Sequence, residues 1–386
     1  MNRQTPSAKY CLICGQSQLK LIQGYTDLPR VTSDCRAFPP GGDLLVCEAC
    51  SAVQKTPSKR WLAEIEEIYR DYAAYSLADG AEQLVLDPIT ASPAKRSDVL
   101  VKKLIGSIDF PDTGRALDVG CGHGVTMAAL SVVFPNWRFN GYELGEGNLP
   151  VLQKIKNFEF LYTGALTAID SKFDLISMIH SLEHFVDPIS TLCELREIVG
   201  HEGRLFVEVC NVQENPFDLL VADHLMHFSP VSLRYALNRA GFSTECESTT
   251  WVKKELSFVA IQGREENFAY SKNGSSEVER ISASVAWLVK LVELARVVAQ
   301  ENRPFGIFGT SIAATWLSTA LSGEVDFFVD EDPHRIGRNY LGKEVIGPDE
   351  VPESAVVFLA LAPTLADAIA RRLADYPFEL ISPPPI

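Results

Sequence analysis

Two close pairs of cysteines near the start of the chain limit most strongly what it can fold into. Each pair has two residues between its members, and the pairs are Cys11/Cys14 and Cys47/Cys50. Four thiolates in two such pairs can close a tetrahedral shell around zinc, which is typical of a structural rather than a catalytic site. We therefore expect residues 1–60 to form a lobe whose fold depends on a structural zinc. The alternative interpretation is two unrelated thiol pairs.

Length, charge and cysteine content narrow the class of protein. The 386 residues predict two or three domains, and the net charge of −15 opposes binding to nucleic acid or to an acidic membrane surface. The sequence contains no apolar run of the roughly 18 residues that a membrane-spanning helix needs. Nine cysteines without an apolar signal segment favour a reducing, cytoplasmic location. We expect partners that include neither nucleic acid nor a membrane.

Segments typical of strands and of helices alternate in two parts of the chain. The first part runs from residue 115 to residue 261 and the second begins at residue 305. Such alternation predicts a doubly wound α/β sheet in each part. A polar stretch over 265–276 separates them and is typical of a linker. The expected domains are therefore a zinc-binding lobe, a central α/β domain and a C-terminal Rossmann-like domain, over residues 1–60, 61–265 and 275–386.

A glycine-rich turn follows the first strand of the central domain. It reads Gly120-x-Gly122-x-Gly124, and Asp118 lies just before it. Nicotinamide sites prefer a wider spacing that places a helix N-terminus on a pyrophosphate. The shorter form is typical of S-adenosylmethionine (SAM) sites, whose cofactor has no phosphate. We expect Asp118 beside the positive groups of SAM, with helix capping as its alternative role, and Glu143, which ends the next strand, on the ribose hydroxyls.

With these features the whole chain resembles the sugar C-methyltransferase family that acts on nucleotide-linked 4-keto-deoxysugars. The C-terminal part of the resemblance rests on Pro304–Ser311, Phe328–Asp330 and Arg338–Lys343. The resemblance implies an N-terminal zinc lobe, a class I SAM-methyltransferase doubly wound α/β sheet and a C-terminal Rossmann-like domain that helps to bind the substrate. It also implies SAM and a structural zinc as cofactors, and a small-molecule substrate that is a nucleotide sugar.

Two further segments resemble motifs of this family. An aromatic-rich stretch contains Tyr75, the best match to a tyrosine that reaches the active site in the family. A second stretch contains Asp223 and His224, which match an acid and a histidine of the family, whereas Val221 replaces its tyrosine. Methylation of a carbon beside a ketone needs a base and a donor to the enolate oxygen. We expect His224 to be the base, Tyr75 the donor, and Asp223 or a neighbouring carboxylate the group that fixes the His224 tautomer.

Alternative roles for these residues, and alternative functions for the chain, also agree with the sequence. His227, His180 and His184 are reserve candidates for the base, and for His180 and His184 a packing or hydrogen-bonding role is the alternative. His224 itself could shape the pocket without removing a proton. The missing tyrosine motivates a second hypothesis, a methyltransferase of the same architecture that acts on oxygen or nitrogen of a sugar or another small metabolite. A non-catalytic binding module built on the zinc lobe is the third hypothesis, which the intact glycine turn opposes.

Overall fold

Short strands build the N-terminal lobe in the computed structural model, which describes residues 10–72, 82, 84–86, 93–263 and 274–386. After them comes one helix, which begins where the Ser58 side chain accepts a hydrogen bond from the Trp61 N–H. Such a cap satisfies one of the free N–H groups at a helix start. The elements are β1 (Leu19–Leu21), β2 (Arg30–Val31), β3 (Ala37–Phe38), β4 (Leu45–Cys47), β5 (Val53–Gln54) and α1 (Lys59–Arg70).

The central domain alternates strands and helices, as the sequence predicts. It opens with a hairpin, β6 (Leu84–Leu86) and β7 (Pro93–Lys95), and with helix α2 (Arg96–Ser107). The strands that follow are β8 (Arg115–Val119), β9 (Arg138–Glu143), β10 (Phe158–Thr163), β11 (Phe173–Ile179), β12 (Val199–Cys210), β13 (Met226–His227), β14 (Phe242–Ser248) and β15 (Glu255–Gln262). The helices between them are α3 (Val125–Val133), α4 (Leu149–Leu152), α5 (Pro188–Ile198) and α6 (Pro230–Ala240).

Seven of these strands form one sheet in the order β10-β9-β8-β11-β12-β15-β14. The first five are parallel, and β15 runs antiparallel to both of its neighbours, β12 and β14. The predicted doubly wound α/β fold is confirmed, and its sheet is mixed. The strand order reverses between β8 and β11. In open α/β sheets ligands bind outside the carboxyl ends of the strands at such a reversal.

The short strand β13 ties the central domain to the N-terminal lobe. It completes a four-stranded sheet in the order β1-β4-β5-β13, in which Met226 pairs with Gln54 and His227 with Val53. The chain between β12 and α6 is therefore held from two sides, by its own domain and by the lobe. This sheet thus combines three strands of the predicted zinc-binding lobe, residues 1–60, with one strand of the predicted central domain.

The C-terminal domain packs against the rest of the molecule through helix α7 (Gly274–Ala299). One apolar cluster joins Val46 from β4, Leu288 from α7 and Ile307 from the first strand of this domain. The elements of this domain are β16 (Phe305–Phe308), α8 (Ile312–Ala320), β17 (Phe327–Val329), β18 (Asn339–Tyr340), β19 (Lys343–Ile346), β20 (Val356–Leu359), α9 (Pro363–Arg372) and β21 (Glu379–Ile381). Its six strands lie in the order β18-β19-β17-β16-β20-β21, parallel except for the pair β18 and β19.

Among the described residues we find no helix that combines the length and the apolar character needed to cross a membrane.

Candidate active site

A cleft of about 340 Å³ lies at the carboxyl ends of the central strands. All three parts of the molecule line it. The N-terminal lobe contributes residues 33–35, the central domain contributes the glycine-rich turn and the ends of β9, β11 and β12, and the C-terminal domain contributes residues 310–313. The cleft therefore occupies the place that the reversal of strand order predicts for a ligand site.

The glycine-rich turn leaves free space on its cleft side. Gly122 has a φ of +50°, and a Cβ atom built there would meet no atom within 4 Å. Gly124 has a φ of +74°, and a Cβ atom there would lie 2.5 Å from Ile155 Cδ1. Gly124 is therefore needed for the close packing of the turn against the following helices, whereas the hydrogen of Gly122 leaves room for a ligand in the cleft.

The two predicted cofactor acids lie on either side of this turn. Glu143 accepts hydrogen bonds from the Gly122 N–H at 2.7 Å and from the Leu144 N–H at 3.2 Å. Asp118 is 3% exposed and accepts a hydrogen bond from the Ser177 hydroxyl at 2.6 Å. Burial raises the pKa of Asp118 to about 7, against the opposing effect of the Ser177 bond.

These residues fit SAM. The space above Gly122 can take a nucleoside, and Glu143 ends the strand next to β8, where an acid can accept from ribose hydroxyls. The carboxyl group of Asp118 lines the same cleft, where a cationic cofactor would favour its ionised form. All five residues predicted to bind the cofactor thus come together, namely Asp118, Gly120, Gly122, Gly124 and Glu143.

A cluster of histidines lies on another wall of the cleft. His224 lines the cleft, and its Nδ1 donates to Asp218 Oδ1 at 2.8 Å. His227 is completely buried and donates from Nδ1 to Asp218 Oδ2 at 2.7 Å. Burial by itself lowers the pKa of His224, but the Asp218 carboxylate outweighs it, so this pKa is raised. The carboxylate that holds His224 is therefore that of Asp218, which sequence reasoning did not single out.

Asp223 has different partners. Its carboxylate accepts from the Ser33 N–H at 2.9 Å and from the Ser33 hydroxyl at 2.5 Å. Its nearest ring nitrogen is His184 Nδ1, at 3.5 Å. Asp223 therefore does not fix the His224 tautomer, and the alternative of a neighbouring carboxylate applies. The reason is that the Asp223 carboxylate binds Ser33 and so joins the central domain to the N-terminal lobe.

His180 and His184, which follow β11 and are two of the reserve candidates for the base, already have hydrogen-bonding or ionic partners. His184 Nδ1 lies 3.0 Å from the Tyr69 hydroxyl and 3.1 Å from the Asp223 carbonyl oxygen, and its ring packs edge-on against His224 at 4.7 Å. His180 Nε2 lies 2.9 Å from Glu255 Oε2. Burial opposes the charge on His180, but the Glu255 carboxylate raises its pKa well above the ordinary value. Both rings line the cleft.

The aromatic segment reaches the same region. Tyr72 lines the cleft, and Tyr69 contacts His184. Tyr75, the predicted donor to the enolate oxygen, lies outside the described residues.

The four cysteines of the two pairs meet in the N-terminal lobe. All are buried, and their Sγ atoms lie within 4.8 Å of one another. Two contacts join the pairs: the Sγ atoms of Cys11 and Cys50 lie 3.5 Å apart, and those of Cys14 and Cys47 also lie 3.5 Å apart. A tetrahedral zinc site with bonds of about 2.3 Å has edges of roughly 3.8 Å. The cluster therefore fits zinc, and four protein ligands would leave no open position for a substrate.

The C-terminal domain presents a polar turn to the cleft. Thr310 and Ser311 lie between β16 and α8, and Arg335 lies beside them. The Arg335 guanidinium donates to the Thr310 hydroxyl at 2.8 Å, and Thr310 donates to Asp330 at 2.7 Å. The beginning of α8 and one guanidinium group therefore face the ligand space.

Comparison with known proteins agrees with this geometry for the central domain. Residues 94–247 match the family described as "Methyltransferase domain". The ubiquinone biosynthesis O-methyltransferase of Pseudomonas aeruginosa (strain UCBPP-PA14) is 26% identical over 128 residues, and that of Pseudomonas syringae pv. tomato (strain ATCC BAA-871 / DC3000) is 27% identical over 128 residues. Each match covers 30% of this chain and 53% of the relative. The chain thus spans about half the length of these relatives.

Among solved structures, that of the mitomycin 7-O-methyltransferase MmcR is similar to part of this chain. The match covers 44% of this chain and 53% of the MmcR chain, with 20% sequence identity and a TM-score of 0.39.

The order of the strands and the family match agree on the fold of the central domain. It is the α/β fold of class I SAM methyltransferases, with a mixed central sheet.

Proposed function

We propose that this chain is a SAM-dependent methyltransferase that methylates a carbon atom of a nucleotide-linked keto-deoxysugar. The observation that carries the proposal is that the SAM-binding turn, His224 and the polar turn of the C-terminal domain line a single cleft. Methyl transfer needs donor, acceptor and base in one space, held in a reactive orientation. In this proposal the cysteine cluster holds a structural zinc, and the partners are small molecules.

Binding of the cofactor falls to the turn and its two acids. SAM, when bound, supplies an electrophilic methyl carbon, and the electron pair of the broken carbon–sulfur bond stays on sulfur. Glu143 would accept from the ribose hydroxyls, and Asp118 would face the positively charged end of the cofactor. What the rest of the site must do is to align an acceptor atom with the methyl group and to free its electrons.

His224 is suited to free those electrons. With Nδ1 donating to Asp218, its Nε2 carries a lone pair that can accept the proton beside a ketone. The electron pair of the broken C–H bond then forms the enolate, whose carbon attacks the methyl group, and the proton stays on Nε2 until it leaves for solvent. Tyr75 remains the predicted donor to the enolate oxygen.

The C-terminal turn supports a substrate that carries a nucleoside diphosphate. The beginning of α8 favours a negative group in the adjacent part of the cleft. The Arg335 guanidinium, which lies 3.4 Å from Asp330 and 3.5 Å from Asp332, would add an N–H donor there rather than an unpaired positive charge. The carboxylate of Asp330, which follows β17, could accept from a ribose hydroxyl. With its diphosphate at this turn, the substrate would have its sugar between the C-terminal domain and the methyl donor.

Methylation of a hydroxyl oxygen is the second candidate. Its support is that the two relatives described above carry the name O-methyltransferase. Val221, which replaces the tyrosine of the sugar C-methyltransferase motif, lines the cleft and offers no hydroxyl to a sugar or its enolate. A base in the position of His224 would serve this reaction as well.

Hydrogen exchange in deuterated water separates the two reactions. The full chain is incubated, without SAM, with nucleoside-diphosphate 4-keto-deoxysugars, and loss of the α-proton signal is followed by NMR. We expect exchange in the wild type, none in His224→Ala, and wild-type exchange in His201→Ala, a control whose side chain is 96% exposed. SAM labelled in its methyl group then shows by NMR whether the label arrives on carbon or on oxygen.

Methylation of carbon requires that both the exchange and the labelled carbon product depend on His224. Methylation that proceeds without exchange and labels oxygen would establish the second candidate. A chain that binds SAM but transfers no methyl group to any of these acceptors would contradict both.

A further inference from the structure

Asp218 lies between two imidazole rings. Its Oδ1 accepts from His224 Nδ1 at 2.8 Å, and its Oδ2 accepts from His227 Nδ1 at 2.7 Å. Because an ionised carboxylate only accepts hydrogen bonds, each Nδ1 must carry the proton. The two bonds therefore set the tautomer and the orientation of both rings.

The two rings that Asp218 holds differ in their access to the cleft. Asp218 is 2% exposed, and burial by itself raises its pKa, but the two rings outweigh burial and hold the pKa well below its usual range. Burial lowers the pKa of His227 to about 4, so this ring stays neutral at physiological pH. His227 thus anchors the carboxylate, whereas His224 is the partner that lines the cleft and can take up a proton there.

We infer that Asp218 is a positioning residue for methyl transfer, acting through His224, with His227 as its second anchor. This inference rests on the proposed function, in which His224 is the base. Asp218 keeps the proton on Nδ1, turns the Nε2 lone pair toward the cleft, and stabilises the imidazolium that forms when Nε2 accepts the substrate proton.

Several other ionisable groups face the His224 ring. Asp223 precedes it in the chain, and Glu183 and His184 approach it from the turn after β11. Lys55, a buried amine near Asp218 and His227, is a further charged group, and burial lowers its pKa to about 7. Of all these groups only Asp218 makes a hydrogen bond to the His224 ring within the described part of the chain.

Asp218 could instead matter only for folding, because it lies in a buried turn, Pro216–Leu220. The two roles differ in what they predict for the proton affinity of His224. A positioning carboxylate raises the pKa of the base, so its loss lowers that pKa. A base acts when it is deprotonated, and the acidic limb of the rate profile must then move to lower pH.

The first test is the pH profile of turnover in Asp218→Asn. We expect turnover on the plateau to fall by about 10- to 10³-fold, with the acidic limb displaced to lower pH and KM little changed. Asp187→Asn, at the exposed N-terminus of α5, is the control and should keep both the rate and the profile. An unmoved acidic limb, in a variant that folds and binds SAM, would overturn the positioning role.

The second test needs no Asp218 variant and therefore does not depend on how that variant folds. Nitrogen NMR of the wild type with labelled histidine, assigned with His224→Ala, reports which ring nitrogen of neutral His224 carries the proton. We expect protonation at Nδ1, and protonation at Nε2 would refute the inference. If His224→Ala keeps full activity, the proposed base is wrong; if it is inactive and the tautomer is reversed, only the role of Asp218 is wrong.

Discussion

The Sγ atoms of Cys14 and Cys47 lie 3.5 Å apart, although 33 positions separate the two residues in the chain. Such an approach of four thiols in a lobe of short strands is compatible with a shared metal. We predict one tightly bound zinc per chain. Cys47→Ser should give insoluble or unfolded protein rather than a folded chain that has lost activity alone, because the metal supplies folding free energy to the lobe. Metal analysis and circular dichroism measure the two effects.

A matched control for this prediction is Cys193→Ser. Cys193 is half-buried in α5, outside the cluster, and its loss should change neither the zinc content nor solubility. A folded wild-type protein with well under one equivalent of zinc would contradict the prediction.

The free space above Gly122 leads to a prediction for cofactor binding. Gly122→Val should abolish SAM binding, because the branched side chain would occupy the cleft. The φ of +50° also makes any side chain at this position strained. Gly342→Val is the control for that strain, since Gly342 has a φ of +80° and no atom within 4 Å of its added Cβ. Calorimetry that finds unchanged SAM affinity in Gly122→Val would refute the position assigned to the cofactor.

The carboxylate of Glu143 is expected to contribute directly to SAM affinity. Glu143→Ala should weaken binding by about 1–3 kcal/mol, because the ribose hydroxyls and the Gly122 N–H lose an acceptor. Glu146→Ala, which removes an exposed acid nearby, should leave the affinity unchanged. Calorimetry measures both affinities. An equal loss of SAM affinity in the two variants would mean that the net charge of the protein determines binding and that the position of Glu143 does not.

The elements that sequence patterns predict best are those at the centre of the fold. Two examples are strand β11 and helix α5, which lie within the alternating segments predicted from residue 115 to residue 261. Strands covered on both faces consist of continuous apolar runs, so their signal is strong. Gly15, which follows the first cysteine pair, has a positive φ that glycine adopts without strain, whereas Ser51 adopts the same conformation after the second pair without the help of its residue type.

Edge strands are hard to predict because they lack the continuous apolar run of the central strands. Local sequence patterns do not predict β10 or β14, the outermost strands of the central sheet. Phe160 in β10 is 54% exposed, and β14 carries charged residues among its apolar ones. With one side facing solvent, such strands lack a continuous apolar run, and their identity depends on the neighbour with which they pair.

The role of Asp218 could not be predicted from local sequence. Asp223 is adjacent to His224 in the chain, and adjacency made it the first candidate for fixing the ring. The two residues lie at a turn, in which the His224 N–H donates to the Val221 carbonyl oxygen, and adjacency there does not bring the two side chains together. The turn at Pro216–Leu220 instead brings Asp218, six positions earlier, to Nδ1. Only the packing of this loop against the N-terminal lobe, which holds Asp223 through Ser33, decides between the two acids.

The raised pKa of Asp118 gives a prediction for the pH dependence of cofactor binding. In the free protein Asp118 titrates near pH 7, because burial disfavours its ionised form. The positive charges of SAM favour the ionised form, so binding should release a proton at and below this pH. Apparent SAM affinity should therefore increase as the pH is raised toward 7, by up to about tenfold per pH unit, and level off above it.

Calorimetry in two buffers of different ionisation enthalpy counts the protons released on SAM binding at each pH. We expect close to one proton at pH 6 in the wild type and markedly fewer at pH 8. Asp118→Asn keeps an oxygen for the Ser177 hydroxyl but cannot ionise, so it should bind SAM more weakly, and the proton released at acidic pH should disappear. Asp112→Asn, at an exposed position, should behave as the wild type does. The same proton count in Asp118→Asn and the wild type would show that another group is linked to binding and that Asp118 does not face the charge of the cofactor.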